Sequence, residues 1–112
     1  MPRYLISFDA RAKDHIPDED MPAVTDASLA VVQEAIDAGV WVFGGGLENQ
    51  EASIVATDGT VTAGPYPEAI GGLCVVDAPS REEALEWAAE IAVACRCAQE
   101  VREFMPDPTV GD

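Results

Sequence analysis

The chain contains one histidine, His15, the side chain whose unperturbed pKa lies nearest neutrality and hence the first acid–base candidate. It sits in Lys13-Asp14-His15-Ile16-Pro17, and with Asp14 or another carboxylate orienting the ring it could move a proton. A second candidate lies in Gly64-Pro65-Tyr66-Pro67-Glu68. Two prolines stiffen that loop, so a phenol at Tyr66 and a carboxylate at Glu68 can bind or deprotonate a small polar substrate. Each has an ordinary alternative: a solvated loop histidine, and a packed turn with a rim aromatic. Arg96 and Arg102 are scarce cations in an acidic chain. Either suits an anionic substrate, although a structural ion pair is the commoner use of an arginine.

Other signals point away from chemistry. Gly44-Gly45-Gly46 fails as a phosphate loop, because Asn49 stands where a third spaced glycine belongs and a strand follows rather than a helix. A bulge or a close approach to a ligand or neighbouring strand suits it better. The three cysteines are an odd number with no Cys-x-x-Cys spacing. Cys95 and Cys97 on a helix would point roughly 200° apart and could not share a metal, and Cys74 sits in an apolar run as a small core residue. No metal site and no cofactor is expected.

One domain accounts for 112 residues, with residues 1–106 as its body and 107–112 as a tail. Apolar residues make up 48% and charged residues 24%, the balance of a folded chain. Six basic against 21 acidic residues give a net charge of −15, which repels phosphate backbones and anionic lipid. Nucleic acid and membrane are therefore not expected as partners. No apolar run reaches the roughly 20 residues of a membrane span, and no signal-peptide pattern opens the chain, so a cytoplasmic address is expected.

The elements that must position these residues follow from periodicity. Tyr4 to Phe8 alternates as a strand, with Tyr4, Ile6 and Phe8 on one face. A polar loop runs to Asp20, and the acids at 18–20 with Pro22 mark a helix start. Val24, Ala27, Val31, Ala35 and Ala38 give the helix its apolar stripe, and Gly39 stops it. Val40 to Phe43 forms a second strand. Ser53 to Ala56 and Thr60 to Thr62 flank Asp58-Gly59, a hairpin turn. Gly72 to Val76 is apolar throughout, as in a central strand. Ser80 and Glu83 form a capping box for a second helix with Ala84, Leu85, Ala88, Ile91, Ala92 and Cys95 buried and Trp87 flanking. A last strand spans about Gln99 to Met105.

This order is the β-α-β-β-α-β split unit with an extra edge element, an α+β fold in which two helices cover one face of an antiparallel sheet. Strands apolar on both faces, Tyr4-Leu5-Ile6 and Val40 to Phe43, leave a greasy open side. A homodimer with sheets packed face to face is expected.

The ordered motifs Ala56-Thr57-Asp58-Gly59, Thr62-Ala63-Gly64-Pro65-Tyr66-Pro67-Glu68, Gly71-Gly72 leading to Val76-Asp77, Glu83 to Ala88 and Glu100-Val101-Arg102 resemble the YCII-related proteins, in particular the branch named for an Asp-Gly-Pro-Phe motif. Tyr4-Leu5-Ile6 and Ala38-Gly39-Val40 through Gly45-Gly46-Leu47 fit as well. The resemblance implies a dimeric ferredoxin-like α+β barrel-type domain, and a related branch includes a dehydrochlorinase acting on a chlorinated hydroxyquinol. Ala63 and Tyr66 replace the motif's Asp and Phe, and only Ala69-Ile70 separates Glu68 from Gly71 where members usually carry a longer insert. Pro22 and Ala23 occupy the helix start where another branch has a histidine proposed as catalytic.

Two functions are expected from these readings. The first is a cofactor-free lyase or isomerase moving a proton on a small organic molecule, dehydrochlorinase-like in type. His15, Tyr66 and Glu68 would be catalytic, and Asp14, Gly64, Pro65 and Arg102 would bind substrate. The second is a non-catalytic dimer that binds a metabolite or serves a regulatory or accessory role.

Overall fold

The computed structural model describes residues 1–48, 50–65 and 68–106. Tyr66 and the expected tail at 107–112 lie outside the described residues.

Tyr4, Ile6 and Phe8 alternate with Leu5 and Ser7 along β1 (Arg3–Asp9), as a strand's two-residue period requires. β1 is the inner strand that joins the sheet: it pairs antiparallel with β5 (Ile70–Asp77) on one side and β6 (Glu100–Glu103) on the other. β2 (Trp41–Gly46) closes the far edge against β5, giving the order β2-β5-β1-β6. That is the strand order of the split β-α-β unit, an α+β arrangement. Between β2 and β5 the chain forms a separate two-stranded hairpin, β3 (Ser53–Val55) with β4 (Val61–Ala63). The sequence expectation of an extra strand on the sheet's edge is therefore corrected. Three-residue strands carry too few ladder bonds and too little apolar area to join the sheet, and they pair only with each other.

The hairpin turn is read correctly at its centre. Gly59 adopts φ +88°, Asp58 accepts from the backbone N–H of Thr60 at 2.8 Å, and Gly59 N donates to Ala56 O at 2.9 Å. These bonds make a three-residue loop with a left-handed glycine rather than a two-residue turn.

Both helices lie on one face of the sheet. α1 (Met21–Asp37) follows a short 3-10 turn over Asp18–Asp20, and α2 (Arg81–Cys95) begins where the Ser80 hydroxyl accepts from Glu83 N at 3.2 Å. Among the described residues the reciprocal bond from the Glu83 side chain is not made, so only half of the capping box forms. The stripes differ from expectation in detail. In α1 the inward positions are Val24, Ser28, Val31 and Ala35, while Ala27 and Ala38 are exposed. In α2 Ala84, Ala88 and Cys95 are buried but Leu85 points out, and Trp87 packs on the flank of the core. α2 ends at Cys95 with Arg96 in the left-handed region (φ 56°), so Cys97 lies beyond the helix and β6 is shorter than the expected strand.

The core is one cluster of Tyr4, Ile6, Cys74, Val76, Ala78 and the α2 alanines Ala84 and Ala88. Its small helix residues let α2 sit close on the sheet. The molecule is flat, 44 × 43 × 18 Å, with a radius of gyration of 15.5 Å against about 13 Å for a compact chain of this length. No helix among the described residues is long and apolar enough to cross a membrane.

Candidate functional site

Strand register sorts the helix-covered face into three rows. Tyr4, Val76 and Trp41 make the first, Ile6, Cys74 and Gly44 the second, and Phe8, Gly72 and Gly46 the third. Side-chain volume falls along that series until only Phe8 has bulk. The glycines leave the end of the layer unfilled.

Each glycine there has a distinct reason. A Cβ on Gly44 would lie 2.5 Å from the Cys74 Cβ, so β2 approaches β5 too closely there for any side chain. The register shift between Trp41 and Phe43 brings the strand in at that point. A Cβ on Gly72 would lie 2.6 Å from Cζ of Phe8, whose ring therefore covers bare backbone. At Gly46 a Cβ would meet nothing within 4 Å.

Above this floor lies a cavity of about 140 Å³. Ile6, Phe8 and Cys74 wall it from the sheet, Ser28, Val31 and Val32 roof it from α1, and Ile91 and Cys95 close it from α2. An adjoining hollow of about 280 Å³ runs outward past Thr25 and Leu29 of α1. The two share Lys13, Ser28, Val32, Trp41, Gly45 and Gly46, so those residues ring the passage between an inner chamber and an outer vestibule.

The polar groups at the passage are few. Ser28 donates its hydroxyl hydrogen to Val24 O at 2.8 Å, so its 3.2 Å contact with Cys95 has the thiol donating. Lys13 holds its ammonium 4.7 Å from the centroid of the Phe8 ring, a cation–π contact. Lys13 is also the one formally charged side chain lining either space among the described residues. All three cysteines are free and buried. Burial, with Cys95 nearby, pushes the Cys74 thiol up to about 12, and burial also raises that of Cys97. Cys74 thus stays protonated and serves as chamber wall rather than nucleophile.

The residues singled out in the sequence do not line these spaces. Asp14 and His15 are exposed on the loop between β1 and α1, one and two positions after Lys13, with Ile16 buried as that loop's anchor. Among the described residues the imidazole makes no hydrogen bond. Gly64 and Pro65 follow β4, where Gly64 N donates to Ala52 O at 2.8 Å and the Gly64–Pro65 peptide is cis. Glu68 is exposed. The backbone bond Ala10 N to Ala69 O at 3.0 Å joins the histidine loop to the segment after Glu68, at the same end of the sheet as the glycine floor. Arg102 lies elsewhere, opposite Leu5 on the uncovered face, and is exposed. Arg96 forms an ion pair with Asp20 at 3.0 Å, the structural use.

Lys13, Ser28, Phe8 and Gly46 were not assigned a role from sequence. The signal in the sequence was limited to the alternate glycines at 44 and 46 and the lone lysine five residues after Phe8, since the register that joins them is set by the fold.

Comparison with known proteins fits this geometry. No curated protein matches the chain in sequence. Among solved structures the chain is similar to the 5-chloro-2-hydroxyhydroquinone dehydrochlorinase of Burkholderia phenoliruptrix AC1100, in complex with 2,5-dihydroxybenzoquinone. The TM-score is 0.55 over 97% of this chain and 98% of that one, at 13% identity, a likeness of fold. The sequence profile of the YCII-related domain matches residues 4–106, nearly the whole chain, and the protein accordingly belongs to the YCII-related family.

Proposed function

We propose that the protein binds a small organic molecule of about one ring in the chamber over the glycine floor and moves a proton on it without a cofactor. The observation that carries this reading is the unfilled layer itself. Along β2 the glycines are exposed and Gly46, in register with Gly72, has open space where a side chain would stand, so the helix-covered face opens at this edge instead of closing. An apolar cavity of about 150 Å³ takes a benzene-sized guest, and the chamber has that scale. A structural neighbour solved with a six-membered dihydroxyquinone adds support.

In this reading the acid–base groups come from the two loops that meet beside the chamber. His15, which makes no hydrogen bond to Asp14 among the described residues, is the proposed base, and Tyr66 and Glu68 are the proposed substrate-orienting groups. Arg102, exposed on the opposite face of the sheet, is left without a part in this reading. A homodimer is part of the proposal. Phe43 is 59% exposed on the uncovered sheet face, and Val55 and Val61 on the hairpin are 66% and 61% exposed, apolar surface that a second copy would cover. Dehydrochlorination and isomerisation of a ring are reactions of this type.

Deuterium exchange tests the enzyme reading. In D2O, proton NMR follows the loss of acidic C–H signals in a panel of small cyclic ketones and hydroxyquinones. Wild type is expected to accelerate exchange of at least one member. His15→Ala is expected to keep the circular dichroism spectrum and lose about 10²–10⁴ of that rate, the usual worth of a general base. Undiminished exchange in His15→Ala removes His15 from the mechanism. Binding without exchange by wild type favours the second reading, a non-catalytic binding or accessory dimer, which the Ala63 replacement and an imidazole without a hydrogen bond among the described residues support. Elution as a monomer at micromolar concentration would sink the dimer.

A further inference from the structure

Lys13 is unusual among the six cations of this chain. Arg3 binds Asp77 at 2.8 Å and Arg96 binds Asp20 at 3.0 Å. Arg11, Arg81 and Arg102 are exposed. Lys13 is half-buried, and among the described residues its ammonium rests on an aromatic face instead of pairing with a carboxylate. A cation–π contact is worth only about 0.5–1 kcal/mol at a site open to solvent, so an incoming oxyanion displaces it readily.

Its position gives the charge a use. Lys13 stands where chamber and vestibule meet, beside the hydroxyl of Ser28 and the open backbone of Gly46. The chamber beyond is walled by Ile6, Phe8, Val31 and Ile91, with no acidic side chain. A bare inorganic anion would gain nothing there and lose its hydration. A neutral ring would fill the chamber but leave the ammonium unanswered. Against an overall charge of −15, Lys13 is the one cation lining these spaces among the described residues, so it marks the place where an anion would be favoured there.

Building on the binding reading above, we infer that the ligand is an organic anion of one planar ring, its ring in the chamber and its oxyanion at the passage against the Lys13 ammonium. Lys13 is thus a specificity-determining residue.

Benzoate and its neutral isostere benzamide test this on the full chain, with amide shifts of Gly45 and Gly46 and the Trp41 indole as readout. Wild type is expected to bind benzoate at least tenfold more tightly than benzamide. Lys13→Gln is expected to abolish that preference by weakening benzoate binding, and Lys13→Arg to retain most of it. Gly46→Val, which puts a side chain into the open space, is expected to block both. Equal affinities in wild type, or a preference that survives in Lys13→Gln, overturns the inference and leaves the binding reading standing. If neither probe perturbs these signals, the chamber is not a ring site, and the binding reading falls together with the inference.

Discussion

The two ends of the helix-covered face use one sheet and one pair of helices to opposite purposes. At one end Tyr4, Val76 and Trp41 fill the layer, Ala84 packs down on it, and the core closes. Two rows further on, Gly72 and Gly46 stand where Val76 and Trp41 stood, Phe8 alone covers the sheet, and a chamber opens. α2 packs on the filled end while α1 and α2 together roof the chamber, and the supply of side chains from the strands below falls from one end to the other. α2 spans both, with Ala84 and Ala88 on the filled end and Ile91 and Cys95 over the chamber. Fold and site are therefore two halves of one layer.

This contrast predicts a graded response to substitution. The largest effect belongs to the filled end: Tyr4→Ala is expected to cost about 3–5 kcal/mol in urea unfolding, as buried aromatic truncations do. A loss under about 1 kcal/mol would mean that the layer can settle.

A pair of glycines sharpens the boundary between the halves. Gly44→Ala forces a methyl group against Cys74 and is expected to cost about 1–3 kcal/mol, whereas Gly46→Ala meets open space and is expected to stay within about 0.5 kcal/mol of wild type. Equal effects at the two sites would erase the distinction drawn here.

The smallest effect lies beyond the filled row, where Arg3 Nε holds the Asp77 carboxylate at 2.8 Å. The Arg3 hydrogen bond draws the Asp77 pKa below its ordinary value. A carboxylate with a lowered pKa in the folded state stabilises at neutral pH, and that contribution disappears as pH falls from about 4 through the folded value. Asp77→Asn is expected to lower stability modestly at pH 7 and to flatten the curve in that acid range. An unchanged acid limb would show that other carboxylates dominate it.

Much of the frame is legible in the residues. The alternation of Tyr4, Ile6 and Phe8 gives the inward face of β1, Ser80 marks the start of α2, and Asp58-Gly59 centres the hairpin turn, because each depends on neighbours a few positions away. The candidate site is less legible. His15 attracts attention by its chemistry but lies exposed on a loop, while Lys13, two residues earlier, reaches the passage because it lies across Phe8. Leu85 shows the same gap. It shares an apolar stripe with Ala84 in any helical projection, yet the smaller residue is the one beneath α2.

The sequence by itself determined the elements, their caps and turns, and the membership of small residues in both helices, since backbone preference and side-chain period act locally. Only the tertiary structure decided that the β3–β4 hairpin stands apart from the sheet and that glycines from β2 and β5 meet in one row under Phe8. Register between distant strands is set by how whole faces pack, and no local pattern records which residues will lie side by side.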